Sequence, residues 1–174
     1  MTEETLSITN IQDLLDYNAR KFTSAEIQLK NKLPQWINVV SSVQLKTVLL
    51  RYMDFITNHV KELETFFQKE SINSISVSNP VMKAFIEETE EKLSHCTDLE
   101  VKEACILACI QSINHFKISM YGTAAAFSNT IGLEDQAALF HKAEVNEKQI
   151  DDRLSQLAEH EINQKAKAPL VIPD

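Results

Sequence analysis

Only two glycines, Gly122 and Gly132, and four prolines punctuate the 174 residues of this chain. Glycine and proline are the commonest means of reversing a backbone, each for its own steric reason. A chain so poor in both has few turns and is built from long elements. No long run alternates apolar and polar residues as a half-buried strand does, whereas apolar residues recur at three- and four-residue spacing over most of the length. The fold class expected is therefore all-α.

The helices follow from caps and stripes. Helix 1 is expected from Thr9 or Asn10 to Val39, with Thr9 and Gln12 as a capping box. Its apolar stripe is Ile11, Leu14, Leu15, Phe22, Glu26, Leu29, Leu33, Trp36 and Ile37, and Pro34 is expected to kink it near its end. Helix 2, from about Ser42 to Lys69, carries Leu45, Leu49, Tyr52, Phe55, Ile56, His59, Leu63 and Phe66 on one face. Residues 70–79, ESINSISVSN, have no helical period and read as a polar crossover. Asn79 before Pro80 is an N-cap followed by a first-turn proline, opening a shorter helix 3 to about His95. Thr97 with Glu100 forms a second capping box and starts helix 4, which ends at Gly132. Helix 5 runs from about Leu133 to Ala166. The long helices span roughly 30 residues, or about 45 Å. Short joins make two antiparallel hairpins, and the long connection carrying helix 3 links them, which is the ferritin-like variety of four-helix bundle. Residues 1–8 are expected to be a flexible N-terminus, 9–166 one domain and 167–174 a disordered tail.

Charge narrows the partners. With 17 basic and 25 acidic residues the formal charge is −8, and no basic patch with interleaved aromatics is visible, so neither nucleic acid nor an anionic membrane is expected as a partner. The N-terminal MTEETLSITN is acidic and polar, unlike a signal peptide, and no apolar run approaches the roughly 20 residues of a membrane span. A cytoplasmic protein is expected. Cys96, Cys105 and Cys109 form no CxxC pair; Cys105 and Cys109, one turn apart, read as small buried hydrophobes in a reducing compartment. No phosphate-cradling glycine loop, nucleophile elbow or zinc spacing occurs. The acidic run Glu87, Glu88, Glu90, Glu91 reads as a wet face, and Gly122 as a place of close helix packing.

Polar residues inside apolar stripes carry what chemistry there is. Glu26 interrupts the stripe of helix 1. In helix 5 the repeat Ala137, Phe140, Glu144, Glu147, Asp151, Leu154, Ala158 is acidic in its middle third. Carboxylates gathered at half-height in a bundle need a cation or protons, which points to hard oxygen ligands around a metal ion, with His115 added. The alternative is a helix 5 turned so that Leu139, Val145, Ile150, Leu154 and Leu157 face inward and the acids are wet. His59 follows the apolar face of helix 2 and reads as a satisfied, partly buried histidine; His95, His141 and His160 read as solvated. In helix 4, Asn114, His115 and Lys117 stand within a segment flanked by ACILACI and AAAF. Buried without partners, each polar group would cost about 1–3 kcal/mol.

Three stretches, Ala25–Leu29 (AEIQL), Met82–Glu88 (MKAFIEE) and Ile113–Thr123 (INHFKISMYGT), together with Glu147-Lys148 and Asp151, resemble the bacterial ferritin-like YciE/YciF family over about Ser7 to Ile162. The resemblance implies a bundle of iron-type, two-metal ancestry with a link to stress responses. It also implies losses. Tyr52 and Phe55 stand where the family carries a histidine and a glutamate. Asn114 and Lys117 stand where it carries carboxylates, and Val145 and Asn146 precede Glu147 where it has a run of glutamates. Glu26, His115, Glu147 and Asp151 are kept, and Glu144 is added. Two function readings follow. One is a non-catalytic structural or interaction domain with a degraded two-metal site, no catalytic residues and no cofactor. The other is a working iron or manganese protein, oxidase-like or metal-sequestering, using Glu26, His115, Glu144, Glu147 and Asp151. Homodimer formation and an unidentified protein partner stay open. Lys117 brings the sign of charge that a missing cation would leave wanting. It is expected either to pair with Glu26 and Glu147 inside the bundle or to reach solvent along its stem.

Overall fold

A computed structural model describes residues 7–69 and 78–167. The helices are α1 (Ile11–Val39), α2 (Val43–Lys69), α3 (Pro80–His95), α4 (Leu99–Thr130) and α5 (Glu134–Leu157); a π-helical turn (Ala158–Ile162) and α6 (Asn163–Ala166) continue α5. No strand occurs among the described residues. The expected flexible N-terminus and disordered tail fall largely outside them, as does most of the polar crossover.

Four long helices form a ring in the order α1, α2, α5, α4, each touching its two neighbours. Arg51 meets Gln149 while Glu62 meets Lys142, Ser42 just after α1 meets Glu103 while Glu26 meets Lys117, and Gln111 meets Ser155 while Asn114 meets Glu147; with the short turn joining α1 to α2, every adjacent pair runs antiparallel. The diagonal helices α2 and α4 run the same way, which is why the connection between them returns along the full bundle. α3 supplies the return. It runs parallel to α1, tied at its start by Asn79 Nδ2 to the Lys21 carbonyl (3.0 Å) and near its end by Trp36 Nε1 to Glu90 (2.7 Å). This is the ferritin-like four-helix bundle.

Two caps lie one residue from their expected positions. Asn10, not Thr9, caps α1 by accepting from Asp13 N (2.9 Å), while Asp13 accepts from Thr9 N (2.9 Å). Asp98, not Thr97, caps α4, accepting from Glu100 N and Val101 N at 3.0 and 3.3 Å. In both cases a side chain with a short amide or carboxylate arm is the better N-cap. Ser42 caps α2, its Oγ accepting from Leu45 N (3.2 Å), and Glu103 of α4, 3% exposed, supports the cap by accepting from Ser42 N (2.8 Å) and Ser41 Oγ (2.8 Å). A carboxylate there meets the positive end of the α2 dipole.

Gly132 has φ +76°, the left-handed conformation that ends α4; Leu133 N then reaches back to the Ser128 carbonyl at 2.9 Å, as in a Schellman turn. The expected helix 5, from about Leu133 to Ala166, is present with a π turn within it, whose extra residue changes the helix phase. It buries Ile162 and brings Glu161 to Ser42 Oγ (3.0 Å). Pro34 lies within α1, which continues to Val39.

The core is one cluster that includes Leu15, Phe22, Leu29, Leu33 and Trp36 of α1, Leu45, Leu49, Ile56 and Leu63 of α2, and Ile106, Ile110, Ile113 and Phe140 of α4 and α5. The three cysteines are free; Cys109 is buried and the other two are half-buried. Burial, with Cys109 and Cys96 alongside, pushes the Cys105 thiol up to about 12. No helix among the described residues is long and apolar enough to cross a membrane.

Candidate functional site

The polar centre of the bundle is made by all four long helices. Glu26 comes from α1, Tyr52 and His59 from α2, Asn114, Lys117 and Tyr121 from α4, and Glu147 from α5; none is more than 1% exposed. Spacing explains the convergence. At 100° per residue, positions 52 and 59 lie about 20° apart, and 114 and 121 lie within about 60° of 117. Each helix thus turns its polar residues to the same side, and the long side chains reach one centre.

Lys117 occupies the middle. Its Nζ lies 2.9 Å from Glu26 Oε2, 2.7 Å from Glu147 Oε1 and 3.2 Å from the Tyr52 hydroxyl, and 4.6 Å from the centre of the Tyr52 ring. An ammonium has three protons and here meets three acceptors. The outer oxygens of the carboxylates are held as well. Glu147 Oε2 accepts from Tyr52 OH (2.8 Å) and Asn114 Nδ2 (2.6 Å), and Glu26 Oε1 accepts from the Tyr121 hydroxyl. His59 Nδ1 lies 3.1 Å from Glu26 Oε1 and 3.6 Å from Glu147 Oε1. Its Nε2 faces Asn146 Nδ2 at 3.2 Å. The ring thus has one nitrogen against Glu26 and the other against the Asn146 side-chain amide. The Tyr121 ring closes over His59 edge-on, centroids 5.3 Å apart.

The electrostatics follow from that geometry. Burial alone would raise the Glu26 carboxyl, but Lys117, His59 and Tyr121 reverse it and hold it down to about 2. At Glu147 burial, aided by Glu26, outweighs Lys117 and His59, and the carboxyl is raised. Burial would drive the Lys117 ammonium toward neutrality, yet Glu147 and Glu26 keep it above its ordinary range. Burial and the neighbouring carboxylates lift both tyrosines well above theirs, so they stay phenols. Two buried carboxylates therefore meet the Lys117 ammonium and the His59 ring.

The metal-ligand candidates from sequence separate into two groups. Glu26 and Glu147 meet in the centre. His115 points outward, its side chain 65% exposed, and pairs with Asp151 at 3.1 Å. Glu144 lies at the bundle surface over Gly122, bonded to Lys148 (2.6 Å) and His141 (3.2 Å). A Cβ on Gly122 would come within 3.2 Å of Glu144 Oε1, so this glycine does allow close helix packing. Of the exchanged positions, Tyr52, Asn114 and Lys117 line the centre. Phe55 is half-buried and stacks on His59, rings 6.4 Å apart and 18° from parallel. Helix 5 takes a phase between the two sequence alternatives, burying Ala137, Phe140, Ala143, Glu147, Ile150 and Leu154.

Tyr121 was not among the sequence candidates, and His59 was read as a satisfied, partly buried histidine; both are central. A signal existed for each: His59 shares the line of Tyr52, and Tyr121 lies one helical repeat beyond Lys117. Glu26, His59 and Glu147 each offer a ligand atom, all within 4.8 Å of one another, the one such group of metal-ligating side chains found among the described residues.

A family profile described as a domain of unknown function, DUF892, matches residues 10–167. Protein YciF of Escherichia coli (strain K12) is 26% identical over 162 residues, an alignment covering 92% of this chain and 98% of that protein. Among solved structures, that of the E. coli stress protein YciF superposes with TM-score 0.81 at 26% identity, over 92% of this chain and all of that one. YcfI from Rhodopseudomonas palustris gives TM-score 0.82 at 24% identity, over 89% of this chain and 98% of that one.

Proposed function

The chain belongs to the DUF892 family, that of the YciE/YciF proteins, and from this premise we propose that it is a non-catalytic, stress-related ferritin-like domain of the bacterial cytoplasm. In this reading it is a structural or interaction protein in which a lysine has taken the place of the metal cation. One observation carries the reading: the Lys117 ammonium is fully buried between Glu26 and Glu147. Hard cations need several oxygen ligands, and a pair of them needs bridging carboxylates to neutralise it. Here the centre offers two carboxylates, and an ammonium already stands between them. Tyr52, with its phenol proton retained, and Phe55 add no anionic ligand from α2. The donor set does not fit a two-metal centre. Stress-relatedness comes from the description of YciF.

The test is metal chemistry on the purified wild-type chain. Anaerobic ferrous titration followed by oxygen should give no ferric oxo-bridged absorption, and elemental analysis of protein purified without added metal should find no stoichiometric iron or manganese. Two irons per chain retained through gel filtration would favour the oxidase-like or sequestering alternative instead.

A further inference from the structure

All three cysteines of the chain gather where α3 turns into α4. Cys96 is the C-cap of α3, in extended backbone, and its Sγ donates to the Lys92 carbonyl at 3.2 Å. After residues 96–98 the chain enters α4, which runs back along α3. Cys105 and Cys109 stand one turn apart on α4, where side chains four residues apart are neighbours. The Cys105 thiol is in hydrogen-bonding contact with the thiols of both Cys109 and Cys96. Lys92 of α3 is near enough for both α4 thiols to act on its ammonium. Sequence spacing shows the α4 pair; only the α3–α4 hairpin brings Cys96 to it.

Redox chemistry suits this cluster poorly. Burial, with the neighbouring thiols, keeps the Cys105 thiol protonated, up to about 12, and a protonated thiol is a poor nucleophile. A disulfide within α4 is also ill fitted, since Cβ atoms one turn apart are about 5–6 Å distant and a disulfide needs about 3.5–4.5 Å. Sulfur set against sulfur has another use, because soft thiolate ligands select soft cations.

We infer that Cys105 and Cys109 are the two ligands of a site for a soft monovalent cation, copper(I), with Cys96 as the third thiol beside it. Each copper–sulfur bond forms as an S–H bond breaks and its proton leaves to solvent. Copper stays monovalent, so no oxidant or reductant is consumed. Two thiolates and one such ion leave a single negative charge. Lys92, now on Glu88 at 2.5 Å and exposed, is the cation that can turn to it. Zinc fits less well: a structural zinc ion takes four ligands, and no histidine or carboxylate joins these thiols in a group of three donor atoms within 4.8 Å among the described residues. The site is separate from the polar centre, Cys109 lying about 12 Å along α4 from Lys117, and it does not depend on how that centre is read.

Copper(I) is the probe, titrated without oxygen into the reduced full-length chain in competition with bathocuproine disulfonate. The readouts are loss of the chelator's colour, near-ultraviolet thiolate-to-copper absorption and thermal stability. Wild type should take one copper(I) per chain from the chelator and melt higher with it than without. Cys105→Ala and Cys109→Ala should each weaken binding by about tenfold or more, as losing a ligand should at least match the loss of an outer partner. Cys96→Ala should weaken it less. Cys105→Ser and Cys109→Ser serve if an alanine version folds poorly, and circular dichroism checks the fold of each. Wild type that leaves all the copper with the chelator overturns the inference, whatever the variants do. Binding that survives loss of Cys105 unchanged also overturns it, as does a greater loss from Cys96→Ala than from the two α4 variants.

Discussion

Replacing Lys117 with methionine tests the electrostatic account of the centre directly. Methionine keeps most of the apolar stem and removes only the ammonium, so the packing change is small and the charge change is one. What remains is two buried carboxylates with no cation between them. The magnitude can be worked from Glu26, whose carboxyl falls from 4.5 to about 2 in the folded protein. That fall corresponds to about 3 kcal/mol of native-state stability, with Lys117 its largest favourable contributor. Breaking one side of a buried ion pair costs about 3–5 kcal/mol, in agreement. With a urea slope of about 2 kcal/mol per molar, the midpoint should drop by about 1.5–2.5 M near pH 7. Urea unfolding in the presence of chelator, read by helical circular dichroism and by Trp36 fluorescence, measures it. The sign with pH is also fixed. In wild type the Glu26 contribution is present above 4.5 and lost only as pH falls toward about 2, so wild type is intact at about pH 5. In the variant both carboxyls are raised by burial without the ammonium to oppose it, so they take up protons as pH falls and the gap to wild type narrows. An unchanged midpoint, or a gap of the same size at both pH values, would refute the reasoning.

Four further outcomes follow. Glu26→Gln should cost about 3 kcal/mol near pH 7 and Glu147→Gln less, because Glu26 is depressed and Glu147 raised in the folded state; chemical denaturation of the two variants ranks them. Tyr121→Phe strips Glu26 of a buried hydrogen bond and should cost about 1–3 kcal/mol; nuclear magnetic resonance titration should find the Glu26 carboxyl moved upward. His115→Ala should change stability by less than about 0.5 kcal/mol, because the His115–Asp151 pair is exposed on its histidine side; a loss of several kcal/mol would mean the pair is part of the core. Gly122→Ala should raise the melting temperature slightly, since alanine is worth up to about 1 kcal/mol over glycine in a helix and the partly exposed Glu144 chain can swing aside. A lowered melting temperature would show that the 3.2 Å approach cannot relax.

The helices, their order and the ferritin-like arrangement were legible in the sequence because they rest on local physics. Scarce turn residues force long helices, the Asn79-Pro80 pair opens α3, and Gly132 closes α4, each signal acting on its own few residues. Glu26 was legible as well, since a carboxylate amid Phe22, Leu29 and Leu33 can face only inward. The direction of the Lys117 exchange, cation for carboxylate, correctly marked it as a partner for Glu26 and Glu147, although a solvent-seeking lysine was an equally valid reading of the same stem. The phase of α5 was not legible. At 100° per residue Glu144 and Asp151 lie only about 40–60° from Glu147. A rotation of that size, set by packing Ala143 and Ile150 against the neighbouring helices, puts one acid in the core and the other two at the rim. His115 lies about 160° around α4 from Lys117, so once Lys117 faces the core His115 must face away. Which residues share a helix face is written in the sequence. Whether a given face meets the centre of the bundle depends on how four helices rotate against one another, and that is decided by the summed packing of the whole core.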